Sequence, residues 1–330
     1  MATYNDLYVR DNFADTGSVP TSGVTWESPD IIPYQTNMLT WDSANATYGG
    51  PDIGQIIITG QVNNIYVRAR NLNTSAGSGT VNLYYADASL FNLPSTWTQL
   101  GGASGLRDLP FVDGKGNTSI ASSVVALCNP AFVLTNFTGN AHYCIIAVVQ
   151  TTAHPTGIPT SFSSNAAFSN WVMNTPAVAQ RNISYQASSL MTMIRNYSFG
   201  NINSTAAYFR VRVVGRGFDI GTPVLFQCTN QQCPVNQNLT LPPPDSLGNQ
   251  ITGFDVTVPG NFRDSFMITA TAPGKAFPSG ATLITQYYQY ADSANAFECA
   301  LANRMAGFDA SSASATAMLI KLGECTVVVK

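Results

Sequence analysis

At 330 residues the chain exceeds the ~100–200 residues of one ordinary domain, so two domains, or a sandwich with a large appendage, are expected, and there is length for a sizeable core. Only 10% of residues are charged against a typical ~25%, so solubility rests on neutral Ser, Thr, Asn, Gln and Gly. A net charge of −3, with 15 Lys plus Arg and none of them clustered, lacks the electrostatic footprint of a nucleic-acid binder, and no apolar run approaches the ~18 residues of a membrane span.

The opening Met-Ala-Thr-Tyr-Asn-Asp has no basic region followed by an apolar stretch, so a secretory signal is absent or already removed. From there short runs of β-branched and aromatic residues alternate with period two and break every ten residues or so at Gly, Pro, Asn and Ser, the pattern of an all-β sandwich or barrel. Strands are predicted at 54–59, 65–71, 80–85, 123–127, 143–150, 209–214, 224–228, 254–258, 265–271, 282–290 and 317–329. In the second of these, Ile65, Val67 and Ala69 share one face and Tyr66, Arg68 and Arg70 the other, whereas 143–150 is apolar on both faces and should be central and covered twice.

One segment breaks the β pattern. Phe297, Ala300, Leu301 and Met305 recur at helical spacing after Asp292 and Ser293 as candidate N-caps and before Gly307 as a stop, predicting one helix of about three turns. The Gly-rich stretch 215–223 marks the expected boundary, giving a leader at 1–49, a sandwich at 50–215 and a second, mainly-β domain with one short helix at 222–330. The prolines of 241–245 should hold that loop extended.

Six cysteines suggest bridges: Cys228 with Cys233 as a small loop, Cys128 with Cys144 at a hairpin-like separation, and Cys299 with Cys325 tying helix to sheet or remaining free thiols. Zinc would need further ligands near Cys228 and Cys233, and both histidines, His142 and His154, are remote. His142 lies two residues from Cys144 on one strand face, and His154 reads as a turn residue, so no nucleophile with a held base is evident. The three glutamates, Glu27, Glu298 and Glu324, form no recognisable acid pair, and no cofactor is called for. The densest oxygen-ligand group is the leader, where Asp11, Asn12 and Asp15 are candidate calcium ligands, with ordinary turn chemistry as the alternative. Among the aromatics Trp26, Tyr34 and Trp41 lie in loop-like surroundings and are the candidates for stacking on a ligand such as a glycan.

Residues about 50–185 resemble immunoglobulin-like accessory modules of secreted and surface bacterial proteins. The resemblance is carried by Asn-Ile-Tyr-Val-Arg-Ala-Arg-Asn at 64–71, Val-Asn-Leu-Tyr-Tyr-Ala at 81–86, Trp97, His-Tyr-Cys-Ile-Ile-Ala at 142–147 and Ala-Gln-Arg-Asn at 179–182. The stretches at 6–12 and 28–31 are similar to leaders that precede such modules. This resemblance implies a seven-stranded sandwich without catalytic residues; no peptidase region accompanies it, and the chain from about residue 220 resembles nothing we can name.

These readings lead to a non-enzymatic, extracellular or surface binding and adhesion module that meets a protein or glycan ligand. The alternatives are a structural subunit self-associating through strand edges, with residues 325–330 as a candidate donor strand, and a hydrolase with an unrecognised site.

Overall fold

The computed structural model describes residues 2–58, 60–87, 93–135, 143–183, 185–187, 191–306 and 318–329. The chain is all-β, with three α-helices among the described residues: α1 (Trp41–Ala46), α2 (Asn165–Met173) and α3 (Ala296–Ala306). Residues His142 and Gly307 lie outside the described residues.

In the first half eleven strands share one hydrogen-bonded network. Its centre is Asn63–Asn71, flanked on one side by Leu7–Tyr8 and Ile31–Pro33 of the leader and on the other by Val125–Cys128 and Phe132–Leu134. Leader and sheet are therefore one structure. Ile65, Val67 and Ala69 point into a core with Val81, Leu83, Ile145, Ala147 and Val149, as the alternation predicts. The opposite face of Tyr143–Thr151, carrying Cys144, Ile146 and Val148, packs under Phe168 and Val172 of α2, so this strand is indeed covered twice.

Two further sheets close around a second core. Tyr185–Ala187, Leu319–Val329, Thr282–Tyr290, Ala207–Arg216 and Asn249–Val258 make one; Thr192–Asn201, Phe262–Thr271, Pro223–Cys228 and Val235–Thr240 make the other. The core between them is aromatic: Phe199 stacks on Phe266 with centroids 3.6 Å apart, Phe209 on Tyr287 at 4.9 Å, and the Tyr287 hydroxyl donates across the gap to the Gly200 carbonyl at 3.1 Å. Burying each such ring stabilises the fold by roughly 1.5–3 kcal/mol.

Strands Thr192–Asn201 and Ala207–Arg216 belong to this second pair of sheets, so hydrogen bonding does not divide the chain at 215–223. The stretch is a turn between two strands of one sandwich. The last strand, Leu319–Val329, is no free edge either, because Val327, Val328 and Val329 pair in parallel with Tyr185–Ala187 while the other side pairs with Thr282–Tyr290. The predicted strand at 54–59 is irregular over its described part, held by Ile58 N–H donating to Asn63 Oδ1 and Asn63 Nδ2 donating back to the Ile58 carbonyl.

Helix α3 is capped one turn later than predicted: Asn295 Oδ1 accepts from the Phe297 and Glu298 amides, while Asp292 and Ser293 lie before it. Its buried positions are Glu298, Leu301, Ala302 and Met305, with Phe297 45% exposed. The inward phase is shifted because Glu298 accepts from Gln289 Nε2 and the Asp292 amide and so carries its own hydrogen bonds inside.

Candidate functional site

The leader does not stop at the first sandwich. Residues 12–14, Val24 and Glu27 run across the outer face of the second sandwich's five-stranded sheet. In that sheet Val211 and Val213 point into the core, so the alternate residues Val214 and Arg216 point out, joined by Ile284 and Gln286 of the neighbouring strand and by Lys321. The turn after the proline run supplies the far wall with Asp245, Leu247 and Asn249. The result is an inter-sandwich cleft of about 450 Å³, within the ~300–1,000 Å³ typical of ligand sites.

Its rim carries two exposed large apolar side chains, Phe13 at 51% and Leu247 at 78%. Its polar groups are held in place by their own bonds. Asp245 accepts from the Leu247 and Asn249 amides, which keeps its carboxyl below the ordinary range, with the Asn249 amide the largest cause. Arg216, which lines the cleft, donates through Nε to Asn249 Oδ1 at 2.7 Å and keeps further N–H donors on its guanidinium. Lys321 Nζ and Gln286 Nε2 both donate to Glu324 Oε2 at 2.8 Å, and Lys321 sits 4.8 Å over the Trp26 ring.

The three aromatics singled out from sequence are packing residues. Trp26 is 4% exposed beneath Lys321 where the two sandwiches meet, Tyr34 packs edge-on to Tyr66, and Trp41 donates its Nε1–H to the Val125 carbonyl with its ring against Gly114. Trp26 is sealed, and Tyr34 and Trp41 are half-buried against the first core. Their loop-like sequence context misleads because the leader itself is built into the sheet.

Asn12 and Asp15 turn their oxygens to the backbone instead of toward a shared centre, while Asp11 Oδ1 is buried without a hydrogen-bond partner. Asn12 Oδ1 accepts from the Ala14 amide and its Nδ2 donates to the Ser22 and Val24 carbonyls, while Asp15 accepts from the Asp11 and Gly17 amides. Burial, then the Asp15 charge, hold the Asp11 carboxyl well above its usual range. Among the described residues no group of three or more His, Cys, Asp or Glu side chains is placed to hold a metal.

All six thiols are free, the alternative open for Cys299 and Cys325, and no bridge joins Cys128 to Cys144 or Cys228 to Cys233. Cys128 points into the first core, its sulfur accepting from the Val67 amide, whereas Cys144 is on the opposite, α2-covered face and donates to Asn182 Oδ1. Cys233 donates to the Thr257 carbonyl, and Cys299 turns back to the Asp292 carbonyl while Cys325 is buried in the second core.

His154 is more than a turn residue. Its Nδ1 lies 2.8 Å from Asp6 Oδ2, which also accepts from the Thr151 hydroxyl, and its ring meets Tyr4 at 5.0 Å. Among the described residues this imidazole bonds no serine or cysteine side chain, so the pair anchors the leader. A third feature is a half-buried aromatic face formed by Tyr84, Trp97, Phe162 and Trp171 around α2.

Sequence reading passed over Phe13, Arg216, Asp245, Leu247 and Lys321. The one local signal was an isolated apolar residue inside a polar turn, at Phe13 and again at Leu247. No family model matches this chain, and no curated protein matches it. No helix among the described residues is long and apolar enough to cross a membrane.

Proposed function

We propose that the chain is a non-enzymatic binding module, acting outside the cell or on its surface, whose ligand sits in the cleft between leader and second sandwich. The observation that carries this reading is the pairing of exposed Phe13 and Leu247 with fixed polar groups around one cavity. A kinship of residues 50–185 with immunoglobulin-like accessory modules is part of the same proposal. The test is binding of the full chain to combined glycan and protein arrays beside a Phe13→Ala/Leu247→Ala variant. Reproducible signals lost in the variant support the reading; signals indifferent to both changes, or none, count against it.

A second reading, self-assembly, is favoured by the edge strand Val235–Thr240. Among the described residues it pairs only with Pro223–Cys228, and it exposes Asn236, Gln237 and Asn238 without a lysine or proline inside the strand, the residues that commonly guard an edge. Light scattering over a concentration series distinguishes it: growth in mass with concentration supports assembly.

A further inference from the structure

Resting on the binding reading above, the chemistry of the cleft narrows the ligand class. The charged side chains on its lining are Arg216, Lys321, Glu27 and Asp245, two of each sign. Lys321 is already matched by Glu324 and Glu27 is engaged as well, which leaves Arg216 and Asp245, both bonded to Asn249. An anionic ligand would therefore meet Asp245, and a cationic one would meet Arg216, so neither sign gains from entering a space where solvent screening is reduced.

The groups that remain for a ligand are of three kinds. Arg216 offers N–H donors beyond the one given to Asn249. Asp245 is an acceptor whose carboxylate stays ionised, because backbone amides stabilise it. Phe13 offers an apolar ring half open to solvent, continued inward by Val214 and Ile284. A ligand that satisfies all three is uncharged, carries neighbouring hydroxyls that both donate and accept, and has a flat C–H face. We propose that the cleft binds a neutral oligosaccharide, its ring face on Phe13 and its hydroxyls bridging Arg216 and Asp245.

The experiment is a calorimetric titration of the full chain with three neutral trisaccharides, of glucose in β-1,4 linkage, of glucose in α-1,4 linkage and of N-acetylglucosamine. Trigalacturonate and a Gly-Phe-Gly tripeptide serve as charged-sugar and peptide probes. Expected is saturable binding of at least one neutral sugar, weakened roughly tenfold or more by Phe13→Ala and by Arg216→Ala, as truncating an anchor does. The Phe297→Ala change, which alters an equally exposed ring on α3, should leave it intact. Circular dichroism confirms that the variants fold.

No neutral sugar binding at millimolar concentration overturns the proposal, as does sugar binding indifferent to Phe13 and Arg216. Tighter cleft binding of trigalacturonate or the tripeptide also overturns it, while leaving the binding reading standing. Array signals that ignore the cleft variants would remove that reading itself.

Discussion

Arg68 and Asp30 are both fully buried and lie 2.8 Å apart, Nε to Oδ1, at the join between leader and central strand. Asp30 also receives Arg10 through Nε at 2.9 Å and Nη2 at 2.6 Å, and Arg68 donates onward to the Ala44 and Pro29 carbonyls and the Thr47 hydroxyl. The Tyr48 ring covers the group, with the Arg10 guanidinium 3.9 Å from its centroid. One carboxylate thus fixes two leader segments and the end of α1 to the sheet.

Removing one partner of such a group leaves a buried charge uncompensated, a loss of about 3–5 kcal/mol. Asp30→Asn should lower unfolding free energy by that order in urea titration, and Arg68→Met, which leaves Asp30 paired with Arg10, by less. A change below about 1 kcal/mol would show that the network is not what holds the leader in place.

Thiol chemistry checks the cysteine assignment. Burial pushes the Cys128 thiol up to about 12 and holds Cys325 well above its usual range, with the nearby Cys144 adding to the latter. In the native chain only Cys299, half-buried and at the surface, should react promptly with a thiol reagent; in denaturant without reductant all six should. Fewer than six would mean that a bridge forms.

Acid dependence gives a third check, through Asp11. Its folded carboxyl binds a proton more tightly than the unfolded one, so its contribution is unfavourable above the folded pKa and vanishes as pH falls below the ordinary aspartate value. Asp11→Asn removes the titrating carboxyl. The variant should be more stable than the parent near neutrality, and the difference should shrink on acidification toward that ordinary value. A difference that is constant with pH, or that grows in acid, contradicts the assignment.

Much of this architecture was legible because it is local. The two-sided apolar pattern of 143–150 marked a central strand, and Thr282–Tyr290 matched its predicted bounds, since β periodicity is written in neighbouring side chains. Helix α2 escaped because it serves two cores at once: Ala166 and Met173 face the second sandwich and Phe168 and Val172 the first, so no single stripe stands out. Short strands such as Ile31–Pro33 exist only through pairing with distant Asn63–Asn71. The cleft was hidden for the same reason, its walls coming from residues as far apart as Phe13, Arg216 and Lys321.

Stability and binding should separate between the aromatics. Trp26→Ala opens a cavity at the join of the sandwiches and should cost about 3–5 kcal/mol, whereas Phe13→Ala, at an open surface, should stay within about 0.5 kcal/mol of the parent. Parallel denaturation curves decide this. Comparable losses in both would mean that Phe13 is a packing residue and not part of a presented surface.

The most direct test of cleft binding is amide chemical-shift mapping of the full chain as a ligand from the arrays or the sugar titration is added. Binding in the cleft predicts shifts centred on 12–14, 214–216, 245–249 and 284–286, with the Tyr84, Trp97 and Trp171 face unchanged. Shifts centred on that aromatic face, with the cleft amides still, would contradict the account.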